Sequence, residues 1–257
     1  MFKRFLSHPN FLIFYCAAVT IAFIITTCIL IAHPVLGASK LTDFDRIRVH
    51  RIDVVEPDGI PRVIISNRAD YPGSFYHGKE VARPDRADSA GMLFINDEGT
   101  EDGGLIFGGA RTDGKPASFS HLSFDQYEQD QTVVMGTELF PTGEKTAGIY
   151  LSERPDSPIT PALYDEATHI KSMPHGSERQ AAWAEFMKKY PAGQERASLA
   201  RSTDGAIGLS LKDPQGRVRL KLTVASNGEP AIQLLDEKGQ IKRSLLIGDS
   251  SNPEQAH

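Results

Sequence analysis

The chain has almost no cysteine: of its 257 residues only Cys16 and Cys28 carry a thiol. Both lie in one apolar run, so disulfides do not hold the rest of the chain together. A large cysteine-free domain is ordinary in a bacterial periplasm and less usual in a eukaryotic secreted protein. Asparagine is scarce as well, and none of Asn10, Asn67, Asn96, Asn227 and Asn252 begins an N-x-Ser/Thr acceptor site. Basic charge is in deficit. Leaving aside Lys3 and Arg4, which precede the apolar run, 26 basic residues face 33 acidic ones, a net charge of −7. Neutralising phosphates needs a basic patch, and none is visible, which argues against nucleic acid as a partner.

Charge is wholly absent from the run that opens at Phe11 and closes at Ala32, FLIFYCAAVTIAFIITTCILIA, which also lacks proline. Its length matches what a helix needs to cross the hydrocarbon core, so the lipid bilayer is the first expected partner. Secretory signal peptides have a shorter apolar region, about 7 to 15 residues, which favours a retained anchor over cleavage after Gly37. Lipidation at Cys28 is disfavoured by Thr27 before it and apolar residues after it. Lys3 and Arg4 are matched by Lys40, Arg46, Arg48 and Arg51 beyond the run, so basic residues alone do not orient it. A long domain translocates largely regardless of charge while the ten-residue tail is short and basic. The expected topology is therefore a cytoplasmic N-terminus and an extracytoplasmic C-terminal domain, in a bacterial periplasm.

Past the run, turn dipeptides punctuate the chain. Asp204-Gly205, Gln215-Gly216, Asn227-Gly228 and Lys238-Gly239 place glycines 11, 12 and 11 residues apart, with strand-length segments between. Each segment alternates with a period of two: Val218, Leu220, Leu222 and Val224 point one way, Arg217, Arg219, Lys221 and Thr223 the other. The same grammar recurs upstream at Asp58-Gly59, Glu98-Gly99, Gly103-Gly104 and Asp113-Gly114, and about twelve strands result. Residues 154–193 break the pattern with Pro155, Pro158 and Pro161, then turn helical. A capping box is expected at Ser177 to Gln180, followed by a stripe of Trp183, Phe186, Met187 and Tyr190 that packs on the sheet.

The fold class expected is mainly β, an antiparallel meander closed as a sandwich, barrel or propeller-like sheet, with a short helical insertion behind one N-terminal transmembrane helix. The parts expected are a tail at 1–10, the span at 11–32, a linker at 33–44, a β subdomain at 45–153, the insertion at 154–193, a β meander at 194–249 and a disordered tail at 250–257.

Catalytic motifs fail on inspection. The stretch from Gly109 to Pro116 nearly fits a phosphate-cradling loop, but Pro116 cannot supply the hydroxyl that ligates magnesium and no helix follows. The residues from Asn96 to Asp102 hold four carboxylates without the alternating ligand spacing of a calcium loop. His77, His121, His169 and His175 lack zinc-site spacing, so no metal and no cofactor is implied. No Gly-x-Ser-x-Gly elbow and no thiol outside the apolar run is present, and no catalytic residue is nominated.

One long segment, residues 68–89, shows neither helical nor strand periodicity, and loops of that length are usually functional or disordered. Tyr71, Phe75, Tyr76, His77 and Arg83 within it are the expected binding residues, rings and a cation suited to stacking on a sugar or docking an acidic partner. The function expected is a membrane-anchored extracytoplasmic binding or scaffolding module of a bacterial envelope. Its partner would be an envelope protein or glycan, and homo-oligomerisation is left open. The competing class is an envelope glycan hydrolase using a carboxylate pair.

Overall fold

The computed structural model describes residues 9–35 and 41–246. The expected terminal tail at 250–257 lies outside them, as does most of the tail at 1–10. Two compact units result, divided between Arg48 and Val49.

The first unit carries helix α1, Pro9–Val35. Its 27 residues make about 40 Å at 1.5 Å per residue. Residues Phe11–Ile29 have a mean hydropathy of 2.4, so α1 is long and apolar enough to span a membrane. The hydroxyls of Thr20 and Thr26 donate back to Cys16 O and Ala22 O at 2.8 Å each. These two hydroxyls thus find partners on their own helix, as an apolar solvent requires.

The second unit is an antiparallel meander of twelve strands in one open sheet. Its strands are β1 Arg51–Val55, β2 Pro61–Ser66, β5 Ala90–Ile95, β6 Glu101–Thr112, β7 Lys115–Asp125, β8 Gln131–Leu139, β9 Lys145–Glu153, β10 Gln194–Arg201, β11 Ile207–Lys212, β12 Val218–Val224, β13 Pro230–Leu235 and β14 Ile241–Leu246. They neighbour one another in chain order, with a separate hairpin of β3 Ser74–Tyr76 and β4 Lys79–Val81 inserted between β2 and β5. The expected subdomains at 45–153 and 194–249 are one sheet, because β9 pairs with β10 across the helical insertion.

The turns explain the meander. At Glu56, Asn96, Gln126, Phe140, Ser202, Asp213, Ala225 and Asp236, the same closure recurs: the residue's N–H donates to the carbonyl four residues on, and its own carbonyl accepts from the residue three on. At Asp213 and Asp236 the carboxylate also takes two N–H groups of its own turn. Glycine fills the third position at seven of the eight, for example Gly216 at φ 75°, a left-handed conformation that costs a side chain energy. Gly103-Gly104 is different. It lies inside β6, where a Cβ on Gly103 would stand 2.3 Å from Ser123 O. Those glycines serve close strand approach rather than a turn.

The insertion holds two helices, α2 Pro161–Ser172 and α3 Ser177–Lys189. The expected capping box does not form: Gly176 occupies the N-cap and Ser177 is already helical, so its hydroxyl is not placed to accept from the first turn. Of the expected aromatic stripe the three rings cluster with one another, while Met187 is exposed. Phe186 is buried, with Trp183 edge-on at 5.2 Å and Tyr190 at 4.9 Å. Lys189 reaches Glu166 of α2 at 2.7 Å.

Because directly paired residues share a face, the register defines two faces of the sheet. One face is covered at its N-terminal end, where Ile64, Leu93 and Ile95 are buried with Phe75 of β3. Toward β14 that face turns polar, with Ser198, Ser210, Lys221, Gln233 and Ser244 paired in sequence. The other face carries an unbroken apolar row, one residue from each of the twelve strands. It runs Ile52, Ile65, Met92, Leu105, Leu122, Met135, Ile149, Leu199, Leu209, Leu222, Ile232, Leu245.

Candidate functional site

The segment at 68–89 is ordered: its core is the β3–β4 hairpin, followed by a 3₁₀ turn at Pro84–Arg86. Sequence periodicity missed these strands because each is only three residues long. Of the expected binding residues, Phe75 lies in the hydrophobic core, 7% exposed. Tyr71 is half-buried and its hydroxyl donates to Met92 O at 3.4 Å, and burial pushes its pKa up to about 12. Tyr76 sits edge-on to His77 at 4.4 Å. The exposed His77 pairs with Glu128 at 2.8 Å. Arg83 forms a fork with Asp85 at 2.9 and 2.7 Å and lies over the Tyr164 ring of α2 at 5.2 Å. Phe75, Tyr76 and Arg83 line one small cavity, Phe75 with its ring in the core, whereas Tyr71 and the exposed His77 are not part of that lining.

Beneath the hairpin is a small polar cavity of about 90 Å³, lined by Ser74, Arg83, Arg86, Glu101, Asp125 and Tyr164 among others. Its centre is an ion pair: Arg86 donates to Glu101 at 2.6 Å and to Gly73 O at 3.0 Å, while Ser74 Oγ donates to the other Glu101 oxygen at 2.6 Å. Asp125 closes the cavity from the end of β7, and its Oδ1 is buried without a hydrogen-bond partner among the described residues. Burial, then the Glu101, Asp130 and Asp102 carboxylates, push its pKa up to about 8, with Arg86 opposing. Asp125 is thus a neutral acid at pH 7. A buried neutral acid beside an ionised carboxylate is the pairing acid–base chemistry uses, but the cavity admits a few waters and no sugar ring.

A second cluster was hidden by sequence distance. His77, Glu98 and Glu128 come from three turns, and one donor atom of each lies within 4.8 Å of the others, a set that could hold a metal ion. Gly78 N donates to Gly99 O at 2.9 Å and His77 N to Thr100 Oγ1 at 3.1 Å, pinning two of those turns together. The His77–Glu128 contact already accounts for two members of the cluster.

The remaining feature is the open apolar face. A shallow groove of about 700 Å³ runs along its middle, lined by Leu105, Leu122, Met135, Ile149, Leu199 and Ile207. A second apolar row parallels the first: Val54, Val63, Phe94, Gly103, Phe124, Val133, Leu151, Ala197, Leu211, Leu220, Leu234 and, at the edge, Arg243. No protein-family model matches this chain, and no curated protein matches it. The reading of function rests on these surfaces alone. Nothing in the sequence spacing marks Arg86, Glu101 and Asp125 as neighbours. The apolar rows are foreshadowed by strand alternation, but their continuity needs the register.

Proposed function

We propose that the chain is a membrane-anchored binding or scaffolding module of a bacterial envelope, with its short N-terminal tail in the cytoplasm and its β domain outside. One observation carries this reading: two parallel apolar rows cross the full width of the sheet with no layer packed on them among the described residues of that unit, and Met135, Ile149, Leu151 and Leu199 are exposed. Monomeric soluble proteins rarely leave contiguous apolar patches above a few hundred Å², and larger ones mark interaction sites. Helix α1 supplies the anchor. The glycan-hydrolase alternative draws no support from the polar cavity, whose volume of about 90 Å³ excludes a pyranose.

The test uses full-length protein in its own membrane. Protease added outside intact spheroplasts should digest the chain beyond Leu41, and untreated protein should stay in the membrane after a carbonate wash. After mild detergent extraction, native electrophoresis should show a particle larger than one chain, and Leu199→Asp should reduce it to one. Protection from protease would reverse the topology, and a particle indifferent to Leu199→Asp would remove the docking role.

A further inference from the structure

We infer that the open face is closed by a second copy of this chain, sheet against sheet, to form a two-layer sandwich; this rests on the scaffolding reading above and names its partner.

The need is clearest in the C-terminal half. Strands β10 to β14 contain no buried side chain among the described residues, although they carry Leu199, Leu209, Leu211, Leu220, Leu222, Ile232 and Leu234. Their other face is the polar one, so a core for this half can form only on the open face. Strand pairing without such a layer is marginally stable in water.

The area fits. Twelve strands about 4.8 Å apart make the apolar band roughly 53 Å long, and two residue rows about 7 Å apart make it roughly 14 Å across. That is about 700 Å² per copy and about 1,400 Å² in a pair, within the range of stable specific interfaces.

The chemistry favours a like partner. Of the 24 positions in the two rows, Arg243 alone is charged, and it lies on the edge strand. A band with no charge pattern offers a different protein little to recognise, whereas its own image matches it in chemistry and length. The symmetry also closes. The centre of the twelve-strand order falls between β8 and β9, where Met135 and Ile149 are directly paired. A two-fold axis along the strands there lays Met135 over Ile149 of the second copy and Leu122 over its Leu199. It also sets β2 and β5, whose other face carries the buried core, against the coreless β13 and β12, an isologous arrangement.

Full-length protein purified in detergent provides the test. Light scattering should give two chains of one polypeptide per particle. Ile149→Asp should give single chains that unfold at a lower urea concentration than the pair, because the C-terminal strands then lose the layer that covers them, while the position itself is exposed before pairing and tolerates the charge. Ser210→Asp, on the polar face, should leave the pair intact. A readout free of substitutions comes from peroxide: Met135 and Met187 are 51% and 47% exposed in the single chain. Pairing covers Met135 and leaves Met187 on α3, so Met135 should oxidise severalfold more slowly. Equal oxidation of the two methionines, a particle of one chain, or pairs that survive Ile149→Asp would overturn the inference. A particle that depends on Leu199 but contains a different polypeptide would overturn the second copy while leaving the scaffolding reading in place.

Discussion

Replacing Phe75 with alanine is expected to lower the unfolding free energy by about 3 to 5 kcal/mol, a large share of the roughly 5 to 15 kcal/mol a typical domain possesses. The ring is one of four side chains that make the core between hairpin and sheet, with Ile64, Leu93 and Ile95. Its loss removes apolar burial and leaves a cavity that the short β3–β4 hairpin cannot close, since that hairpin is tied down by Arg86 on Gly73 O and by Gly78 on Gly99 O. Tyr76→Ala, one residue on and half-buried, should cost markedly less. Urea unfolding of both variants checks this. A Phe75→Ala protein as stable as the wild type would show that the hairpin is not part of the core.

Stability should also fall as pH rises from about 6.5 to 8, by roughly 2 kcal/mol, and Asp125→Asn should remove that slope. Asp125 titrates near 3.8 when exposed and at about 8 in the fold. Between those values the folded chain holds a proton that the unfolded chain has released, so raising the pH favours unfolding. Below 3.8 both states are protonated and the contribution vanishes; above 8 both are ionised and the full penalty stands. His121 acts in the opposite sense: burial, helped by Arg86, lowers its pKa, so it costs stability as pH falls below its ordinary value of 6.5. Measuring above 6.5 therefore isolates Asp125. Urea midpoints for wild type and Asp125→Asn at several pH values decide it. A slope that survives the substitution would locate the proton elsewhere.

Much of the fold is legible in the sequence. The uncharged run marked α1, and the glycine dipeptides at 59, 99, 114, 205, 216, 228 and 239 marked turns, because a tight reversal needs a backbone conformation that side chains resist. Strand alternation at Val218 to Val224 was legible for the same local reason. Gly103-Gly104 was misread, since a glycine needed for close approach to Ser123 O looks the same in sequence as one needed for a turn. The Ser177 cap was misread because Gly176, one residue earlier, takes the N-cap position. Closure into a sandwich, barrel or propeller was expected, yet the twelve strands form an open sheet; alternation reports that a strand has two faces and says nothing of whether the first strand meets the last.

The candidate sites divide along the same line. Sequence by itself determined what depends on neighbours in the chain: the apolar helix, the hairpin turns, the two-faced strands and the absence of thiol chemistry outside the apolar run. The tertiary structure decided what depends on long-range register and burial. It put Phe75 inside while leaving His77 outside, joined Arg86 to Glu101 and surrounded Asp125 with carboxylates. It also aligned twelve apolar residues from twelve strands into one open row. Each strand's alternation is a local property, but the row exists only because every hairpin closes in a register that keeps the same face up, and a one-residue slip at any turn would have broken it.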